Sequence, residues 1–232
     1  MTPMLAHTSQ EFEAELRQLK EQLLAMGGRC ERMVHMAARA VLEQNTELAE
    51  EVINLDRRTN ADELSIDDMA VRILALRQPV GRDLRFTITA VKVVTDLERI
   101  GDEAVNVAER GQELAELAEL PAPAQHLPQM AKLAGAVLHA VLDAFVHEDA
   151  KAAEEVFRMD DGVDALYGEV LMESLAFMQA NSERVSAGMR VASCAKYLER
   201  IADHATNIAE MVVFLVRGED VRHEGKLRVG RS

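Results

Sequence analysis

Leu97-Glu98-Arg99-Ile100-Gly101-Asp102 and Leu198-Glu199-Arg200-Ile201-Ala202-Asp203 are one six-residue phrase written twice, 101 residues apart. The match continues downstream, where Asn106 and Ala108-Glu109 answer to Asn207 and Ala209-Glu210. Upstream, Ala49-Glu50-Glu51-Val52 with Asp56 and Asn60 pairs with Ala153-Glu154-Glu155-Val156, Asp160 and Asp164, at an offset of 104. A three-residue difference in the intervening turn reconciles the two offsets. A period near a hundred residues is too long for a solenoid unit and suits a duplicated helical bundle. The predicted fold is all-α, with six long helices in two tandem, pseudo-repeated three-helix bundles.

Outward from the repeats, helical periodicity continues. Apolar or small residues at Phe12, Leu16, Leu19, Leu23, Met26, Cys30, Met33, Ala37 and Ala40 alternate steps of four and three, a coiled-coil-like spacing. Thr8 to Glu11 reads as a capping box that opens this helix. Gly27-Gly28 is its weak point, where each glycine costs about 1 kcal/mol relative to alanine unless packing carries the helix through or it kinks. Asn45 reads as the N-cap of a second helix running to about Arg77, before Gln78-Pro79; a third spans about Val80 to Leu120. Three of the five prolines fall in Pro121–Pro128, which reads as the linker. The expected units are therefore 8–120, the linker 121–128, a second bundle over 129–217, and a partly ordered tail over 218–232.

Composition narrows the class of protein. With 48% hydrophobic and 28% charged residues, the 232-residue chain has the apolar content of a folded protein. Aromatics at 3% and the absence of Trp weigh against an all-β fold. A formal charge of -14 repels a phosphate backbone, so nucleic acid is not an expected partner. Cys30 and Cys194 form no CxxC motif and read as small core residues. The N-terminus has no basic and apolar leader pattern, and the longest apolar run, Met211 to Val216, is too short to span a bilayer. The sequence reads as a soluble cytoplasmic protein, peripheral to a membrane at most.

The chemistry lies in acidic stripes. At 100° per residue, Glu98, Asp102, Asn106 and Glu109 share an arc of about 80°, and Glu199, Asp203, Asn207 and Glu210 repeat it. Val93, Leu97, Ile100, Ala104, Val107 and Ala108 fall on nearly the opposite side, so the stripe is expected to face away from the bundle core. On the second helix Asp56, Asn60 and Glu63 form another stripe, flanked by Val52, Ala70 and Leu74, with Asp160 and Asp164 in the equivalent place. Carboxylates four apart repel on a helix, and a cation between them reverses the sign. Two such stripes on neighbouring helices would make an all-oxygen cage for a hard cation such as iron, manganese or magnesium. A plainly solvated acidic face is the competing reading, and recurrence in both halves counts against it. His204 lies about 100° off the stripe and reads as a surface or supporting histidine. His35, His139 and His147 read as ordinary helix residues. Arg77, Arg82 and Arg85 around Pro79 are open to two readings, an anion or acidic-partner site and a solvated turn.

The two Glu-Arg-Ile-Gly/Ala-Asp copies, the turn Leu76-Arg77-Gln78-Pro79-Val80 leading to Asp83-Leu84-Arg85, and Val216-Arg217-Gly218-Glu219-Asp220-Val221-Arg222-His223 together resemble the PhoU family of bacterial phosphate-transport regulators. The resemblance runs from about Phe12 to His223. It implies two three-helix bundles carrying multinuclear iron or zinc clusters on E(D)xxxD motifs. It also implies negative regulation of phosphate uptake, with a phosphate ABC transporter and a sensor histidine kinase as partners. Its motif falls on Glu98 with Asp102 and on Glu199 with Asp203. Asp160 with Asp164 is a further DxxxD. Opposite Asp56 the second acid is Asn60, which ligates through its carbonyl without adding charge, so the first cluster is expected to be the weaker or smaller one. A homodimer is the expected assembly, and the transporter's nucleotide-binding subunit the expected contact. No P-loop, GxSxG, HExxH or paired Glu-x-x-His is present, so no catalytic residue is assigned. A metal-dependent phosphohydrolase and a metal-free helical interaction protein stay open as alternatives.

Overall fold

The computed structural model describes residues 3–219 and 221, with side chains from residue 10. The described residues form six long helices: α1 (Pro3–Leu42), α2 (Thr46–Arg77), α3 (Gly81–Ala115), α4 (Leu127–His147), α5 (Ala150–Ala180) and α6 (Val185–Arg217). Short 3-10 turns occupy Ala122–His126 and Ser182–Arg184. Among the described residues there is no strand. The expected all-α architecture of two pseudo-repeated three-helix bundles is what the chain adopts.

The duplication reaches into the turns. Gln44 takes a left-handed backbone (φ 47°), and the side chain of Asn45 then accepts hydrogen bonds from the amides of Glu47 and Leu48 to start α2. Glu148 (φ 51°) and Asp149, which accepts from Lys151 and Ala152, do the same for α5, again 104 residues later. These caps satisfy amides that the first helical turn leaves without partners. The second helix ends at Arg77 as its sequence predicts. Thr8 lies inside α1, which already runs from Pro3, so it does not cap that helix. The third helix stops at Ala115, short of Leu120. The tail at 220 and 222–232 lies outside the described residues.

Each half packs its own three helices together, and the halves then join through α1 against α4 and α3 against α6. The buried core is continuous from Leu19 through Leu97 and Leu198 to Leu215. The predicted seam of α1 is part of it: Leu19, Leu23, Met26, Cys30, Met33, Ala37 and Ala40 are all buried. Gly27 is the residue that admits α4. A Cβ there would stand 2.7 Å from Leu142 Cδ2, and one on Gly135 of α4 would stand 2.8 Å from His35 Nε2. The helical weakness of Gly27 therefore serves close packing, and α1 passes through it as one helix. The proline-rich connection is packed as well: Pro123 and Ala124 are buried in the 3-10 turn, and Leu127-Pro128 already belongs to α4. The stretch Ala122–His147 is long and apolar enough to cross a membrane, but more than half of its most apolar window is buried inside the bundle, as in a core helix.

Polar clamps hold the halves in register. Arg200 donates to Glu103 Oε1 (3.1 Å), Arg190 to Glu113 (2.5 Å) and Lys20 to the Val146 carbonyl (2.8 Å). Arg77 forks onto Glu15 of α1, Arg82 pairs with Glu148, and Arg85 donates to the Leu215 carbonyl in the last turn of α6. All three arginines around Pro79 thus have partners within the chain, Arg77 and Arg85 in partly buried contacts and Arg82 in an exposed ion pair. Cys30 donates to the Leu97 carbonyl (3.2 Å), and burial pushes both thiols up to about 12, as expected of inert core cysteines.

Candidate metal centre

The acids singled out by the repeat come together in two clusters, one per half. In the first, Asp56 on α2 faces Glu98 and Asp102 on α3, with Glu63 about two turns further along α2. Gly101 lets the helices approach there: a Cβ on it would stand 3.1 Å from Asp56 Oδ1 and 3.2 Å from Thr59 Cγ2. In the second, Asp160 and Asp164 of α5 face Glu199 and Asp203 of α6. Asn60 donates to Asp56 Oδ2 (3.0 Å), so at rest it serves as a partner of the carboxylate beside it.

These stripes do not face away from the protein, contrary to the helical-wheel expectation. The side chains of Glu98 and Glu199 are only 17% and 12% exposed, because α2 and α5 lie over them. Nor does either stripe stay intact along its helix. A four-residue step turns about 40° too far, which carries Asn106 and Asn207 about 80° round from the leading glutamates. Asn106 bonds Glu103 on its own helix (3.0 Å), and Asn207 crosses to Asp96 of the other half (3.1 Å). Glu109 is exposed. His204 also binds Asp96 (2.9 Å), a supporting role between the halves.

Burial and crowding set the electrostatics. Loss of water raises Asp56, and the Asp102 charge adds to it. Glu98 is raised by burial and by Asp102, and Glu63 by burial and by Asp67, with Arg99 opposing in both. Asp164 and Asp203 are raised by burial and by Glu199, against Lys196. Asp160 is raised to about 7, first by burial and then by Asp164, Asp203, Asp161 and Glu199. Such crowding of partly buried carboxylates is unfavourable without a counter-charge.

The two clusters share one more feature. Asp56 Oδ1 and Asp160 Oδ1, at equivalent places in the two halves, are buried and accept no hydrogen bond. An orphaned carboxylate oxygen amid further carboxylates fits a hard, oxygen-loving cation. Among the described residues no three His, Cys, Asp or Glu side chains already converge on one coordination point, so ligation would require these flexible side chains to turn inward. Asp56, Glu98 and Asp102, with the Asn60 carbonyl, would hold a cation in the first half. Asp160, Asp164, Glu199 and Asp203 would hold one in the second.

Three participants escaped the sequence reading of the sites. Glu103, buried between the halves, looks like one more acid beside Asp102. Lys196 and Tyr167 enter the second cluster; the Lys196 to Glu199 spacing was the available signal. Glu63 is visible in the α2 stripe but has an acid's place only in the first half.

A model of the PhoU domain matches this chain twice, over residues 23–111 and 127–212, so both halves carry the pattern. The chain belongs to the PhoU family. The phosphate-specific transport system accessory protein PhoU homolog of Pseudomonas aeruginosa is 42% identical over 223 residues, covering 96% of this chain and 92% of that protein. The PhoU accessory protein of Escherichia coli is 35% identical over 225 residues, covering 94% and 90%. A crystal structure of PhoU from Pseudomonas aeruginosa superposes with a TM-score of 0.86 at 40% identity, over 90% of this chain and all of the other. The regulatory PhoU of Streptococcus pneumoniae superposes at 0.82 with 32% identity, over 90% and 99%.

The PhoU-type clusters make a pH prediction. Asp160 titrates higher in the folded chain than in the unfolded one, so between about pH 4 and 7 the folded state holds a proton that the unfolded state has released. Metal-free protein therefore loses stability as pH rises through 7. Allowing for solvent screening of a half-exposed group, the change between pH 5 and 8 is about 1–2 kcal/mol. Urea unfolding in a chelator at the two pH values measures it, and Asp160→Asn should remove most of the difference.

Proposed function

We propose that this PhoU-family chain is a metal-binding, cytoplasmic regulator of phosphate uptake. It restrains transport and phosphate-starvation signalling by contact with the nucleotide-binding subunit of a phosphate ABC transporter and with a sensor histidine kinase, and it works as a homodimer without turnover of its own. The observation that carries the reading is the repeated acidic cluster, with its orphaned aspartate oxygen, in a chain that matches accessory proteins of phosphate-specific transport along almost its whole length.

A bound cation, iron first and zinc, manganese or magnesium next, would supply positive charge to the carboxylates of each cluster. The protein's own contribution is to hold carboxylates from two helices against each other, so that occupancy ties α2 to α3 and α5 to α6. The outer helices also present apolar side chains to solvent, among them Leu64 and Val71 on α2 and Met172 and Leu175 on α5, as a partner surface requires. No nucleophile with a placed base accompanies the clusters among the described residues.

Two assays on one metal-loaded preparation test this: phosphatase turnover with several phosphoesters, and binding to the transporter's nucleotide-binding subunit. Binding without turnover is expected. Turnover that disappears in Asp203→Asn, with no detectable binding, would replace the regulator with a metal-dependent phosphohydrolase.

A further inference from the structure

The two clusters are not copies of each other where the halves diverge. At the α2/α5 offset, Glu63 corresponds to Tyr167; at the α3/α6 offset, Thr95 corresponds to Lys196. Lys196 Nζ donates to Glu199 Oε2 at 2.6 Å, onto a side chain that is only 12% exposed, and it stands 5.3 Å from the centre of the Tyr167 ring. Its charge is felt by Asp164 and Asp203 as well as by Glu199. The ammonium is thus directed at the acids of both helices, with the tyrosine ring as its support.

Nothing equivalent fills the first half. Thr95 is exposed and returns its hydroxyl to the Val91 carbonyl (3.1 Å), while the place of the tyrosine is taken by a fifth polar group, the Glu63 carboxylate. Arg99 is the cation nearest that cluster, but its side chain is 58% exposed and reaches Glu98 and Asp102 only at 3.4 and 3.5 Å, from the rim. Its counterpart in the second half, Arg200, has turned to Glu103. Lys196, its side chain 40% exposed but its ammonium in direct contact with the largely buried Glu199, is therefore the cation seated on the second cluster.

Resting on the metal-binding reading above, we infer that Lys196 is a resident counter-ion whose ammonium competes with metal at Glu199, so that the second half binds metal more weakly than the first. A lysine is suited to this, being a compact charge on a flexible stem that can withdraw to solvent when a divalent ion arrives. The order of affinities is the reverse of that expected from Asn60 alone: one neutral ligand opposite Asp56 weakens the first cluster less than a built-in cation weakens the second.

The test uses full-length protein carrying Glu98→Ala and Asp102→Ala, so that the second half alone reports, stripped of metal and titrated with manganese(II), whose free ion is counted by electron paramagnetic resonance. Lys196→Met should tighten manganese binding by about tenfold, the effect of removing one competing charge a few ångströms away. Lys196→Arg, which keeps the charge, should leave it within about twofold. Metal-free Lys196→Met should also melt at a lower temperature than its parent, since its carboxylates lose their counter-ion; a merely structural lysine would not tighten metal binding. Lys196→Gln provides a second neutral variant and should behave as Lys196→Met does. Unchanged or weaker manganese binding in both neutral variants overturns the assignment. Absence of manganese binding to the unsubstituted chain overturns the metal reading itself, and this inference with it.

Discussion

Glu98→Ala combined with Asp102→Ala should empty the first cluster of metal and leave the second loaded, halving the metal carried per chain. Each cluster is built from two helices of its own half, α2 with α3 and α5 with α6, and no acid of one half enters the other's cluster. Glu98 and Asp102 supply two of the first half's carboxylates, and an all-oxygen site weakens steeply as charged ligands are lost. The helix itself should persist, because alanine favours helix and the repulsion between the two acids disappears. Metal counted per chain, alongside the circular dichroism spectrum, checks both statements. Loss of all metal with the helices intact would mean that the clusters are coupled through the shared core.

Leu97→Ala should destabilise the whole chain by about 2–5 kcal/mol, the range for removing a fully buried leucine from a core that cannot collapse around the gap. Leu97 has no exposure and sits on α3, the helix that meets α1 and α2 on one side and α6 on the other. Its carbonyl also receives the Cys30 thiol. Because the core runs unbroken through both halves, the unfolding curve should move as one transition. Two transitions, with only the earlier displaced, would show that the halves fold as separate units. Chemical denaturation followed by circular dichroism distinguishes the two results.

Much of this architecture is written locally. The Leu-Glu-Arg-Ile repeats, the Asn45 cap and the Gln78-Pro79 stop are short-range signals, and each falls where the chain turns or repeats. The α4 to α5 turn carries the same cap chemistry as the α1 to α2 turn, but with Glu148-Asp149 in place of Gln44-Asn45 it shares residue types rather than identities, which hides it from a search for repeated words. The joining of the halves was beyond the sequence. Gly27 reads as a defect in a helix until Leu142 is found against it, a contact between residues more than a hundred positions apart.

The clusters divide in the same way. That Glu98 with Asp102 recurs as Glu199 with Asp203, and that Asp56 on the preceding helix recurs as Asp160, is legible from spacing and recurrence. A helical wheel places such acids on a face without saying what covers that face, so the stripes look solvated until α2 and α5 are laid over them. Lys196 makes the same point for a single residue. Three positions before Glu199 it reads as an ordinary helix ion pair of small effect, and only the tertiary arrangement brings its charge to bear on Asp164 and Asp203 as well.

On the proposed reading these clusters are cation sites rather than solvated acidic faces. Elemental analysis of the full chain, purified without added metal and without a metal-affinity tag, tests it most directly. Iron, or zinc or manganese in its place, should be retained through gel filtration and removed by a chelator. Fully folded protein that carries no metal, and takes up none when iron(II), zinc(II) or manganese(II) is offered, would contradict it.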